Sequence, residues 1–112
     1  MLATILHVIA ALGTIAVGVY SLLWPLRVRA FTGLEAPGPR GITEIRAVLG
    51  GFFVGLGLFA IVLGGAAYIL LGLAYFVVAA VRAISMFVDG SVERSNIISV
   101  ASEVLFGIML VV

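Results

Sequence analysis

The sequence contains no cysteine and no lysine, and only 10% of its 112 residues are charged. The absence of cysteine excludes disulfides, thiolate metal sites and cysteine nucleophiles. A soluble domain normally carries about a quarter charged residues, so this chain cannot cover itself with a surface compatible with water. The net charge of +1 provides no clustered basic patch, and we therefore expect no nucleic-acid partner.

Hydrophobic residues make up 64% of the chain, and the mean hydropathy is +1.39. A hydrocarbon core about 30 Å thick is crossed by about 20 apolar residues in a helix. The first apolar segment lacks a basic leader and is longer than the ~7–15 residues of a signal-peptide core, so we expect a mature helix. Residues 47–81 carry no charge and would form a single helix of roughly 50 Å, so a break at Gly64-Gly65 is expected.

The predicted fold is therefore all-α, an integral membrane four-helix bundle with short loops and a single domain over 1–112. The predicted helices cover about 2–24, 42–63, 66–88 and 95–112, with an interfacial loop over 25–41. Ser95 or Asn96 is expected to cap the last helix. With four spans, both charged connections fall on one side of the membrane. The positive-inside rule then predicts a bacterial inner (plasma) membrane protein with these loops in the cytoplasm and both termini outside.

Glycines interrupt the apolar runs of the second and third helices. In water an interior glycine costs about 1 kcal/mol relative to alanine, but in a bilayer small residues let neighbouring helices approach closely. We assign helix packing to Gly50, Gly51, Gly55, Gly57 and Gly72. The same residues could also join copies of the chain, so a homo-oligomer or a larger membrane complex stays open.

Four ionisable side chains lie within membrane depth: Glu44, Arg46, Arg82 and Glu103. An unpaired charge in mid-helix costs at least ~2.5–3.5 kcal/mol on insertion scales, so these groups should be paired and turned inward. We expect Arg82 to pair with Glu103, and Arg46 to pair with Glu44 or Asp89. They form either a ligand-binding or proton-relay pocket or an interhelical link that only orients the bundle. Asp89, Tyr75, Ser99 and Ser102 are the supporting residues in the first case.

These residues also resemble those of a known family. The matching pattern is Glu44-x-Arg46-Ala47 followed by Gly50-Gly51 and Gly55-x-Gly57, then Arg82 with Asp89-Gly90, and Glu103 in the last helix. It is similar to the short four-span bacterial inner-membrane proteins classed as a domain of unknown function, DUF4345. The resemblance extends from about Thr43 to the end, with the first helix similar only in type. It implies a four-helix membrane fold and brings no established activity.

Three functions are compatible with this sequence. The first is a binding or accessory protein that holds a lipid, a lipophilic small molecule or a membrane partner in a charged pocket of the cytoplasmic half. The second is a proton- or ion-coupled transporter or channel component that acts as an oligomer. An intramembrane enzyme ranks last, because no activated nucleophile or metal-ligand set is visible, and no metal or cofactor is expected.

Overall fold

The computed structural model describes all 112 residues and consists of four long helices joined by short connections. The helices are α1 (Leu2–Leu23), α2 (Pro39–Leu63), α3 (Ala66–Val88) and α4 (Arg94–Val111). Each is long and apolar enough to cross a membrane, and the chain contains no strand. The predicted all-α fold with four membrane helices is confirmed.

Few residues are shielded from the surroundings of the bundle. Only 18 of 112 residues are buried, while Leu70 and Phe87 are 71% and 79% exposed. A soluble protein could not leave so many large apolar side chains in water. Their exposure is instead what a small bundle surrounded by lipid tails requires.

The end of α1 follows from its sequence. Proline disfavours a helical backbone at the residue before it, and Trp24, before Pro25, has φ −130° and ψ 65°. Residues 24–38 then form the connector, which holds one 3₁₀ turn at Pro25–Val28 and one α-helical turn at Arg29–Thr32. Gly33 ends that turn with φ +73°.

Helix α2 begins three residues earlier than predicted. Gly38 is the extended N-cap and Pro39 is the first helical residue. Proline is well suited to that position because the first amides of a helix have no intrahelical acceptor to lose. The middle of α2, Ile45–Phe52, is a π-helical stretch with i→i+5 hydrogen bonds before the α-helix resumes at Phe53–Leu63.

A two-residue turn joins α2 to α3, as the sequence predicted. Gly64 has φ 62° and ψ −164°, and Gly65 has φ 44° and ψ −113°. L-residues with a side chain rarely adopt such backbone angles. The glycine pair therefore lets the chain reverse direction without a longer loop.

Helix α1 packs along α2 and also contacts α4, while α3 packs along α4. A Cβ atom added at Gly57 would lie 2.6 Å from the Ala11 carbonyl oxygen, and one at Gly18 would lie 2.7 Å from the Gly50 carbonyl oxygen. A Cβ at Gly72 of α3 would lie 2.8 Å from Leu110 Cβ. All four helices contribute to one buried apolar cluster. Its members are Ala10, Ala11, Ala60, Tyr68, Leu71 and Leu110.

We expect Gly64→Ala to lower the free energy of unfolding by about 1–3 kcal/mol, because alanine would have to adopt a sparsely populated backbone conformation. Gly55→Ala is the matched control, since a Cβ at Gly55 would have no atom within 4 Å. It should leave stability unchanged or raise it. Unfolding in mixed micelles with increasing denaturing detergent measures both. An equal effect of the two substitutions would show that the glycine conformation at the turn is not needed.

Candidate functional site

A bidentate ion pair joins α3 to α4 within membrane depth, as the sequence predicted. Arg82 Nε donates to both Glu103 oxygens, at 2.9 and 3.1 Å, and Arg82 Nη2 donates to Glu103 Oε2 at 2.8 Å. The two side chains are 31% and 12% exposed. Arg82 lies six residues before Val88, about 9 Å from the end of its helix. The carboxylate and guanidinium thus neutralise each other where water is scarce.

Asn96 completes this cluster, and sequence reasoning assigned it a different role. Its Oδ1 accepts a hydrogen bond from Arg82 Nη1 at 3.1 Å, and its Nδ2 donates to the Ser91 carbonyl at 2.9 Å. The N-cap of α4 is Glu93, which makes no capping side-chain hydrogen bond, so the prediction of a Ser95 or Asn96 cap is wrong. Asn96 and Glu103 are seven residues apart, or about two helical turns, and therefore lie on the same face of α4. This spacing could have indicated that Asn96 also contacts Arg82.

The prediction that Arg46 pairs with Glu44 or Asp89 is wrong. Arg46 Nε donates to the Leu22 carbonyl at 3.2 Å, and Glu44 accepts from Arg40 Nη1 at 2.6 Å, four residues earlier on the same helix. The Leu22 carbonyl is one of the last of α1, a group that α1 itself leaves without a partner. Arg46 therefore ties α2 to the C-terminal end of α1. Asp89 is exposed at the end of α3.

Tyr75 links three helices at a second depth. Its hydroxyl lies 2.5 Å from Thr14 Oγ1 of α1, and Thr14 Oγ1 in turn donates to the Ala10 carbonyl at 3.0 Å. Because the threonine has one hydroxyl proton, Tyr75 is the donor to Thr14. The Tyr75 ring packs edge-on against Phe106 of α4, with 5.6 Å between centroids. Sequence reasoning selected Tyr75 but could not identify its partner on α1.

The two serines expected to support the site make no hydrogen bond to the ion pair. Ser102 Oγ donates to the Ile98 carbonyl at 2.9 Å and is exposed, and Ser99 is half-buried. Of the four predicted site residues, the structure thus brings Arg82 and Glu103 together. Glu44 and Arg46 make separate contacts on α1 and α2.

An apolar groove lies between α2 and α3, and sequence reasoning missed it. Its volume is about 570 Å³, and it is open along one side. A Cβ at Gly55 would have no atom within 4 Å, and the nearest atom to one at Gly51 is the Arg46 carbonyl at 3.8 Å. These two glycines, assigned to helix packing, instead line the groove. Its full lining is Ala47, Gly51, Phe52, Gly55, Leu56, Phe59, Ala60, Leu63, Ala67, Leu70, Leu71 and Ala74.

None of the four charged residues predicted to bind a ligand lines this groove. The α2 contribution starts at Ala47, the residue after Arg46, and continues through Gly51 and Gly55. Small residues at four-residue spacing on one helix face were the signal in the sequence. That spacing could not distinguish a helix contact from an open groove, because both use small side chains.

We expect Glu103→Leu to lower the free energy of unfolding by about 3–5 kcal/mol, since it leaves the Arg82 charge inside the bundle without a carboxylate. The double variant Arg82→Met/Glu103→Leu should recover most of this loss. Detergent-titrated unfolding measures both values. Glu44→Ala, in the exposed Arg40–Glu44 pair, is the control and should cost less than about 1 kcal/mol. A double variant as unstable as Glu103→Leu would contradict the assignment of a self-neutralising pair.

Comparison with known proteins assigns the chain to a family and supplies no activity. No curated protein and no solved structure matches the chain. A family model, described as a domain of unknown function (DUF4345), matches residues 2–112. That match covers almost the whole chain, and the protein therefore belongs to the DUF4345 family.

Proposed function

We propose that this protein is a small membrane binding or accessory protein that holds a lipid, with an acyl chain in the groove between α2 and α3. The groove is the observation that carries the proposal. Its volume of about 570 Å³ lies within the 300–1,000 Å³ typical of ligand pockets. Ten of its twelve lining residues are hydrophobic. Lipid tails are the medium around membrane helices, so they are the first molecules that can enter it.

The shape of the groove favours a bound lipid over general contact with the bilayer. Its lining combines large side chains such as Phe52, Phe59 and Leu70 with the glycines Gly51 and Gly55. A side chain would fit at either glycine, because a Cβ there would have no atom closer than 3.8 Å. The absence of a side chain at these two positions therefore widens the groove. An apolar groove with this lining can hold one acyl chain through many dispersion contacts.

The charged residues support this assignment only in part. Arg82 and Glu103 already satisfy each other, so a head group could bind there only by breaking three hydrogen bonds. The same pairing makes the transport alternative less well supported, because a relay through Glu103 would require its release from Arg82. Glu44 is likewise engaged by Arg40. Arg46 is the one of the four residues without an oppositely charged partner.

The proposed location is the bacterial inner membrane with the connector and the 89–93 turn in the cytoplasm. Four antiparallel spans place these two segments at one end of the bundle, and all six arginines lie in or near that end. The positive-inside rule then assigns this end to the cytoplasm. Tyr20, Trp24 and Phe31 form an aromatic cluster there, with 5.6–5.7 Å between neighbouring centroids. Such clusters are typical of the membrane–water interface.

We expect the purified wild-type protein to retain one lipid in native mass spectrometry after gentle solubilisation. Gly55→Leu should lose that mass, because Gly55 lines the groove and a Cβ there has no atom within 4 Å, so the leucine side chain would occupy groove space. Ala16→Leu adds the same bulk at an exposed position of α1 that does not line the groove. This control should retain the lipid.

Two results would overturn the lipid proposal. One is an equal lipid mass in wild type and Gly55→Leu at equal protein stability. The other is a wild-type homodimer without lipid that Gly55→Leu converts to a monomer, which would make the groove a contact between copies of the chain.

The orientation is testable because the chain has no native cysteine. We expect a single cysteine at Ala66, beside the α2–α3 turn, to react with a membrane-impermeant maleimide added to intact spheroplasts. A cysteine at Ser91, in the opposite turn, should react only after permeabilisation. The reverse pattern would place the charged loops outside the cell.

A further inference from the structure

We infer that the lipid held in the groove is an anionic phospholipid whose phosphate is bound by the guanidinium of Arg46. This inference rests on the proposed lipid-binding function and adds the chemical class of the head group. The groove supplies the acyl-chain site, and Arg46 immediately precedes its first lining residue, Ala47. Arg46 and Ala47 are one residue apart along α2, so a lipid with its chain in the groove has its phosphate near the depth of Arg46.

Arg46 lies at the depth where lipid phosphates are found. Helix α2 has 25 residues and is about 37 Å long, so it exceeds a ~30 Å hydrocarbon core by several residues. Counting about 20 residues back from Leu63 places the boundary of the core near Glu44. The hydrogen bond from Arg46 to the Leu22 carbonyl places Arg46 at the same depth as Leu22, which is independent evidence for its position in the membrane. Leu22 is two residues before Trp24, which belongs to the interfacial aromatic cluster.

The hydrogen-bonding capacity of Arg46 is largely unused. Its single hydrogen bond runs from Nε to the Leu22 carbonyl, and a guanidinium carries five N–H groups. Both terminal nitrogens are left for a ligand, and the side chain is exposed. A guanidinium matches two phosphate oxygens in a bidentate geometry. The Nε contact also restricts the orientation of the guanidinium before a ligand arrives.

The local charge balance favours an anion. Glu44 is the nearest acidic residue along α2, and its charge is compensated by Arg40 at 2.6 Å. Arg29 is similarly paired with Glu35 at 2.7 Å. The Arg40–Glu44–Arg46 segment is left with one uncompensated positive charge, next to the groove. A lipid with a net negative head group would neutralise it, whereas a choline or ethanolamine head group would bring its own cation.

The test compares two lipids with identical acyl chains, phosphatidylglycerol and phosphatidylcholine, titrated into delipidated protein and counted by native mass spectrometry. We expect wild type to bind phosphatidylglycerol about tenfold more tightly, because the choline cation of phosphatidylcholine already compensates the phosphate charge that Arg46 would bind. Arg46→Gln should lose this preference and still bind phosphatidylcholine, since the groove is intact. Arg46→Lys should keep part of the preference through its charge. Arg94→Gln, at an exposed arginine away from the groove, should behave as wild type.

The outcomes separate this inference from the function on which it rests. Equal binding of both lipids by wild type, with both lost in Gly55→Leu, would overturn the head-group assignment and keep the groove as a lipid site. A preference that persists in Arg46→Gln would overturn it as well. Absence of any bound lipid in wild type would overturn both proposals. Melting temperatures of the variants, measured in the same micelles, distinguish loss of binding from loss of fold.

Discussion

The interior of a bilayer offers no water to backbone or side-chain polar groups, so these groups find partners within the chain. His7 Nε2 is the one buried polar side-chain atom without a partner. The need for internal partners accounts for the four continuous helices. It also accounts for the polar contacts inside the bundle. The Ser21 hydroxyl donates to the Val17 carbonyl. The Tyr75 hydroxyl of α3 is hydrogen-bonded to Thr14 of α1, and Arg82 of α3 donates to Glu103 of α4. Each contact satisfies a group that lipid could not.

The Arg82–Glu103–Asn96 cluster is the costliest of these arrangements to disrupt. Removing either charge would leave its partner unpaired in a medium that stabilises no ion. Its geometry gives one reason to regard it as part of the scaffold: both carboxylate oxygens and all three guanidinium nitrogens are already engaged. A pocket for a ligand needs unsatisfied donors, and Arg46 provides them at the interface. The proposed head-group site is therefore Arg46 at the membrane interface, and not the Arg82–Glu103 pair deeper in the bundle.

Small residues have two different consequences in this bundle. At Gly18, Gly57 and Gly72 the neighbouring helix lies so close that a Cβ atom would collide with it. At Gly51 and Gly55 no helix approaches, and the same lack of a side chain produces a groove. Helix α2 also contains the π-helical stretch Ile45–Phe52. Its wider turn changes which residues share a face, so a 3.6-residue period does not describe α2 throughout.

The sequence by itself determined the fold class, the number of helices and their bounds to within a few residues. Apolar length sets how many spans fit, Pro25 ends α1, and the Gly64-Gly65 pair divides a run too long for one crossing. It also identified Arg82 and Glu103 as partners, because their charges lie at one depth on successive helices. Tertiary structure decided what Arg46, Asn96 and Gly55 do. Their roles depend on which neighbouring helix lies beside them and at what distance, and this follows from packing of all four helices together. Local periodicity carries no information about that distance, and so the groove between α2 and α3 became visible only in the folded bundle.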